Sequence, residues 1–240
     1  MQTNGRAEEP EEKKLTIIEH LEELRQRLVW SVLTLLVTTA LSFVFTGKLM
    51  EILLIPSGGM KPVFLKPTEM FITYFKVALV AGAALAMPMI VYQAVKFIVP
   101  GLKPSEKKYL YFIIPSATLL FILGISFGYL VLLPFALRYL LTFGGDIASA
   151  FISIGEYISF VTTLLLWMGV AFELPIVIVF LVKVRVVSQK QLRGYWKYAL
   201  VGAFVIAAII TPTPDPFNQS LVAVPLYLLY EIGVLFARLV

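Results

Sequence analysis

The sequence predicts an all-α membrane protein with six transmembrane helices, kinked spans and both termini on one side. Three observations predict it. Of 240 residues, 59% are apolar and only 15% charged, against about 45–50% and about 25% in soluble domains. The apolar residues fall into six runs with few or no charges. The basic residues fall between those runs and crowd onto alternate connections. A soluble enzyme cannot hide so much apolar surface at this length. There is no Cys, which excludes a disulfide framework, a thiolate metal site and a Cys nucleophile, and the single His, His20, argues against a His-based zinc site or a Ser-His-Asp triad.

Residues 1–14 are polar and acidic, with Glu8–Glu12 at their centre, and are expected to form a disordered tail; residues 15–240 are expected to form the membrane domain. No apolar core follows a basic start, so residues 1–14 are not expected to form a cleavable signal peptide. Leu15–Leu28 reads as an amphipathic helix, with Ile17, Ile18, Leu21, Leu24 and Leu28 on one face and Glu19, Glu22, Glu23 and Gln26 on or near the other. It is expected to lie at the membrane surface and lead into the first span.

A helix needs about 20 apolar residues to cross a hydrocarbon core roughly 30 Å thick. Leu28–Gly47 supplies the first span. Val77–Val95 supplies the second, with Lys76 placed to snorkel at one end. Tyr109–Leu137 is long enough for a tilted third span, and Tyr157–Val182 is a fourth interrupted once, by Glu173. Tyr195–Ile210 is a fifth of about 24 Å, shorter than the core, and Phe217–Val240 is a sixth, also expected to be short. Pro88, Pro115, Pro134, Pro175 and Pro225 sit in or near the spans and are expected to bend them. Gly124 and Gly128 form a small-xxx-small pair. No internal repeat is evident.

Fifteen of the 20 Lys and Arg residues fall in the N-terminal segment, the second and fourth connections and the C-terminus. The other five are Lys48, Lys61, Lys66, Lys76 and Arg138. This asymmetry places both termini in the cytoplasm. Outside the acidic first 23 residues the balance is +9, and it suits topology and anionic lipid rather than nucleic acid.

Few acids stand against that charge, and they are the candidate functional residues. Glu23 and Arg27 are spaced i,i+4, which fits either a surface ion pair or a ligand carboxylate. Glu106 is the one acid among Lys103, Lys107 and Lys108 and neighbouring Lys96, in a connection stiffened by Pro100-Gly101 and Pro104. It is either neutralised by those lysines or presented at the same surface as Glu23. Two such carboxylates can each take a guanidinium in bidentate fashion, which lysine matches poorly. Glu173 is the one acid deep in a span, where a charge costs about 2.5 kcal/mol or more. It is protonated, faces a wet cavity, binds a polar partner group, or hydrogen-bonds within the bundle. Asp215 is expected to cap the sixth helix with Pro216 as its first residue, and Gln219 to face the outer half of the membrane. His20 is expected to pack or cap. No phosphate-binding glycine motif and no enzyme constellation is present.

Together these segments resemble one family, the multi-spanning receptor subunit of the twin-arginine protein translocase, TatC. His20-Leu21-Glu22-Glu23-Leu24-Arg25-Gln26-Arg27-Leu28 is similar to its H-L-x-E-L-R-x-R-L. Phe97-Ile98-Val99-Pro100-Gly101-Leu102 through Glu106 is similar to F-x-x-P-G-L-x-x-x-E, Phe172–Pro175 to F-E-x-P, and Thr211–Gln219 to T-P-x-x-D-x-x-x-Q. Glu231-Ile232-Gly233 completes the series, which runs from His20 to near the C-terminus.

The resemblance implies that Glu23 and Glu106 bind the paired arginines of a signal peptide on a folded cargo protein. Leu21, Arg25, Phe97, Pro100 and Gly101 would shape that site. Glu173 would line a concave membrane face and meet an inserted signal peptide or a partner helix. Thr211, Asp215 and Gln219 would contact single-span partner subunits of the TatA and TatB type. The family is expected to be no enzyme, to use no cofactor, to draw on the proton-motive force, and to work as an oligomer within a larger complex in the cell inner membrane, with no nucleic-acid partner. Glu8–Glu12 departs from the pattern, and Glu22 leaves two acids competing for one role. The rival reading is a small ion- or proton-coupled transporter with Glu173 as its coupling site, and a third is a scaffold for other membrane helices.

Overall fold

The computed structural model describes residues 17–59, 61–98, 110–143, 151–211 and 215–239. The expected tail, Pro100, Gly101 and Glu106 lie outside the described residues. No proline or glycine occurs between Ile17 and Thr46, and Glu, Leu, Arg and Gln favour helix. One helix, α1 (Ile17–Leu54), therefore runs unbroken through 38 residues, about 57 Å. Ile17–Leu28, expected to lead into the first span, is collinear with it. A single 3-10 turn, Ile55–Ser57, follows. Gly58 and Gly59, with φ of 67° and 89°, then turn the chain back in a conformation that side chains resist.

The second span is α2 (Glu69–Ile98), which passes through Pro88 without a break. The third consists of α3 (Leu110–Phe127), one wide turn over Gly128–Leu132 and α4 (Leu133–Thr142). Leu133 N–H reaches back five residues to Gly128 O, an extra residue in the turn just ahead of Pro134. The fourth is α5 (Ile154–Ala171) and α6 (Leu174–Lys183), parted at Phe172-Glu173 just before Pro175. Of the five prolines expected to bend the spans, Pro134 and Pro175 coincide with interruptions, while Pro88, Pro115 and Pro225 lie inside continuous helices.

A six-residue helix, α7 (Gln189–Gly194), leads into α8 (Trp196–Ile210), whose 15 residues span about 22 Å. The last helix, α9 (Pro216–Phe236), has 21 residues, about 31 Å. Five helical segments are long and apolar enough to cross a membrane, and α8 is a shorter sixth. The fifth span is short as expected. The sixth is the shortest of the five long ones but reaches across the core, because Pro225 does not end it.

The centre of the bundle is α5, where Ile158, Val161, Leu164 and Met168 are fully buried. Helices α2 and α3 pack on it, α1 lies along α2, and α9 pairs with α8 and α6. Gly124 and Gly128 do form a helix contact. A Cβ on Gly124 would strike the Met168 carbonyl, and one on Gly128 would press on Leu165 and Met168.

Candidate functional site

Two ends of the bundle and one point inside it carry the polar chemistry. At the end that bears Ile17, antiparallel α1 and α2 bring residues 20–27 beside residues 93–97. His20 stacks on Phe97 with ring centroids 4.4 Å apart. Arg27 Nη2 donates to Glu23 Oε1 at 2.8 Å, and its Nη1 donates to Gln93 Oε1 at 3.4 Å. Gln93 is buried, and Arg27 Nε is buried without a partner. Glu23 is half-buried, whereas Glu22, Leu21 and Arg25 are exposed. The i,i+4 pair is therefore real, but it also grips the second helix, so it is more than a surface pair.

Inside the membrane region, Glu173 occupies the interruption between α5 and α6. It is 9% exposed, and its Oε1 is buried without a hydrogen-bond partner. The bundle therefore offers no bond to that oxygen, which disfavours the reading of Glu173 as an internal helix–helix link. Phe172 and Pro175 line an apolar cavity of about 510 Å³ with Leu120, Val179, Leu229 and Phe236.

At the opposite end, Asp215 caps α9 as its sequence implied. Its Oδ1 accepts the Asn218 N–H at 2.8 Å, its Oδ2 accepts Asn218 Nδ2 at 2.9 Å, and Pro216 follows as the first helical residue. Gln219 donates from α9 to the Phe204 carbonyl of α8 at 3.0 Å and lines a second cavity of about 510 Å³ with Leu200, Val201, Val205 and Ile209. Thr211 is buried, and its hydroxyl donates to Ala207 O at 3.0 Å. Of the three residues expected to meet a partner, Gln219 is the one that borders open space along α8.

The sequence reading missed a polar clasp at this end. The Glu69 carboxylate accepts from Leu65 N–H at 2.7 Å, Lys66 N–H at 3.3 Å, Gly155 N–H at 2.8 Å and the Ser153 hydroxyl. Beside it, Val63 and residues 152–154 exchange two backbone hydrogen bonds. Tyr157 and Tyr129 donate to the carbonyls of Leu53 and Ile52, each at 2.8 Å, where α1 runs out of its own donors. Lys76, expected to snorkel, directs its Nζ inward instead and donates to Ser159 Oγ of α5 at 2.6 Å. The pattern Pro67-Thr68-Glu69 before an apolar run signals a helix start, but nothing local signals Ser153. Among the described residues no three His, Asp or Glu side chains gather into a metal-binding group.

The fold and its polar points define a multi-pass helical membrane protein with a buried acid and no enzyme-like constellation among the described residues. Comparison with known proteins is specific. Residues 19–225 match the family described as Sec-independent protein translocase protein (TatC). A protein of that name from Carboxydothermus hydrogenoformans is 40% identical over 232 residues, 96% of each chain. Its namesake from Deinococcus radiodurans is 40% identical, covering 95% of this chain and 88% of that one. A crystal structure described as the twin arginine translocase receptor TatC superposes with a TM-score of 0.84 at 40% identity, covering 92% of this chain and 99% of the other. The chain belongs to the TatC family of Sec-independent protein translocase proteins. It is a translocase component rather than an enzyme.

Proposed function

We propose that this chain captures twin-arginine signal peptides of folded cargo at the end of the bundle that carries α1, and recruits single-span partners of the TatA and TatB type for export driven by the proton-motive force. One observation carries the reading: Glu23 is half-buried against the end of α2 and already holds a guanidinium at 2.8 Å. A carboxylate so placed suits arginine, whose planar fork pairs bidentately, better than lysine. Phe97, stacked on His20, anchors the start of the connection that carries Pro100, Gly101 and Glu106. Leu21 and Arg25 flank the site on the exposed side of α1. The basic asymmetry supports cytoplasmic termini, and the family supports the cell inner membrane.

Glu173 is the acid that an inserted peptide or partner helix meets, since its Oε1 lacks a partner among the described residues. Gln219, beside the cavity along α8, is the contact for a single-span subunit, with Thr211 at the end of α8 and Asp215 at the cap of α9 on either side of it. Six spans cannot by themselves enclose a passage for a folded protein, so assembly with partners and further copies is part of the proposal. The orphaned Glu173 oxygen also favours a second reading, a proton-coupled transporter. Titrating a labelled signal peptide against the solubilised protein separates them. A receptor loses binding on Glu23→Ala and Glu106→Ala, whereas a transporter binds no peptide and works alone in liposomes.

A further inference from the structure

No acid occurs between Glu173 and Asp215, yet that stretch holds five cations: Lys183, Arg185, Lys190, Arg193 and Lys197. Arg185 ends α6 in a left-handed conformation, φ 60°, with Val186 N–H bonded to Leu181 O and Arg185 N–H to Val182 O, each at 3.0 Å. Glycine normally fills that place in this helix-ending motif, so a long charged side chain is held there against backbone preference. Lys190 and Arg193 are three apart on α7. Lys197 is the second residue of α8, just past the junction at Tyr195, whose N–H bonds to Gln191 O.

The corner is fastened rather than loose. Ser188 and Gln191 form a reciprocal cap, Tyr230 of α9 donates to Leu192 O at 2.5 Å, and Leu192 packs on Ile178, Val234 and Ala237. Helix α8 starts at Trp196 and is about 8 Å shorter than the hydrocarbon core, a mismatch that favours interfacial anchors at its first turn. Trp196 and Tyr198 are exposed there, 45% and 76%, the side chains that favour the membrane interface. Lys197 lies over the Trp196 ring at 5.6 Å.

We propose that the α6–α8 corner is a docking surface for anionic phospholipid, with Arg185, Lys190, Arg193 and Lys197 receiving the headgroup phosphate and Trp196 and Tyr198 seated against the acyl chains just beneath the headgroups. Bound there, the lipid anchors the short α8 at its depth. The corner carries this surface whatever cargo the protein handles.

The test uses the full chain with Trp30→Phe and Trp167→Phe, leaving Trp196 as the single fluorophore, reconstituted in phosphatidylcholine vesicles. A minor share of the lipid, either phosphatidylglycerol or phosphatidylcholine, carries bromine on the acyl chains near the headgroup. Each surface cation enriches anionic lipid about fivefold. Brominated phosphatidylglycerol is therefore expected to quench Trp196 at several-fold lower content than brominated phosphatidylcholine. The fourfold change Arg185→Gln, Lys190→Gln, Arg193→Gln and Lys197→Gln abolishes that preference. Lys190→Arg with Arg193→Lys and Lys197→Arg, and separately Lys13→Gln with Lys14→Gln, keep it. Equal quenching by the two lipids, or a preference that survives the fourfold change, overturns the proposal.

Discussion

Arg27 donates to Glu23 at 2.8 Å, so the carboxylate proposed to receive an arginine already holds one from its own helix. The same guanidinium reaches Gln93 on α2 at 3.4 Å, which fixes the carboxylate against the neighbouring helix. An incoming guanidinium meets an oriented acceptor, and little side-chain freedom remains to be lost on binding.

Glu23→Gln removes the charge while keeping the shape. A hydrogen bond to a charged group contributes about 1.5–3 kcal/mol, so signal-peptide affinity is expected to fall roughly ten- to hundredfold. Arg27→Gln keeps the acceptor and loosens it, and is expected to cost less than Glu23→Gln. Titration with a fluorescent twin-arginine peptide measures both. A greater loss for Arg27→Gln would show that Arg27 itself contacts the peptide.

Glu173→Leu removes a buried oxygen that has no partner and fills the space with hydrocarbon. The melting temperature in detergent is expected to hold or rise, while export in cells is lost. Glu173→Gln separates two uses of the residue. An amide still hydrogen-bonds but cannot release a proton, so retained export favours a bonding role and complete loss favours proton coupling. A falling melting temperature for the Leu variant would mean that the carboxyl holds the bundle together.

The Glu69 clasp joins the start of α2 to the start of α5. Glu69→Ala leaves the N–H groups of Leu65 and Gly155 without their acceptor. The expected result is a melting temperature several degrees lower, with faster amide exchange around Ser153–Tyr157. Glu51→Ala, exposed at the same end, serves as the control and is expected to change neither.

Gly82 lets α1 and α2 meet. A Cβ there would stand 2.6 Å from the Thr39 Cα, and Thr38 already bonds to Gly82 O at 2.8 Å. Gly82→Leu is expected to destabilise the pair by about 1–3 kcal/mol, as overpacking does, and to weaken peptide binding through the displaced Glu23. Thermal unfolding together with peptide titration reads both effects.

The spans were legible because a bilayer imposes length and apolarity on each helix alone, and Leu28–Gly47 or Tyr157–Val182 shows both without reference to the rest of the chain. Asp215-Pro216 was legible for the same reason, since a cap is a local bond. Glu173 stood out as an acid where acids are costly. What depended on distant partners was not visible. Nothing near Glu69 marks Ser153, 84 positions away, and nothing near Lys76 marks Ser159. Where Ile17–Leu28 rests was not legible, because an amphipathic pattern is shared by a surface helix and by the protruding end of a long span, and the packing of residues 20–27 on α2 depends on a distant partner.

The most direct measurement crosslinks a twin-arginine signal peptide, and a variant with lysines in place of both arginines, to the detergent-solubilised protein. The twin-arginine peptide is expected to label the protein strongly and the twin-lysine peptide weakly, with Glu23→Ala and Glu106→Ala each removing the difference. Equal labelling by the two peptides, or labelling untouched by Glu106→Ala, would contradict the account.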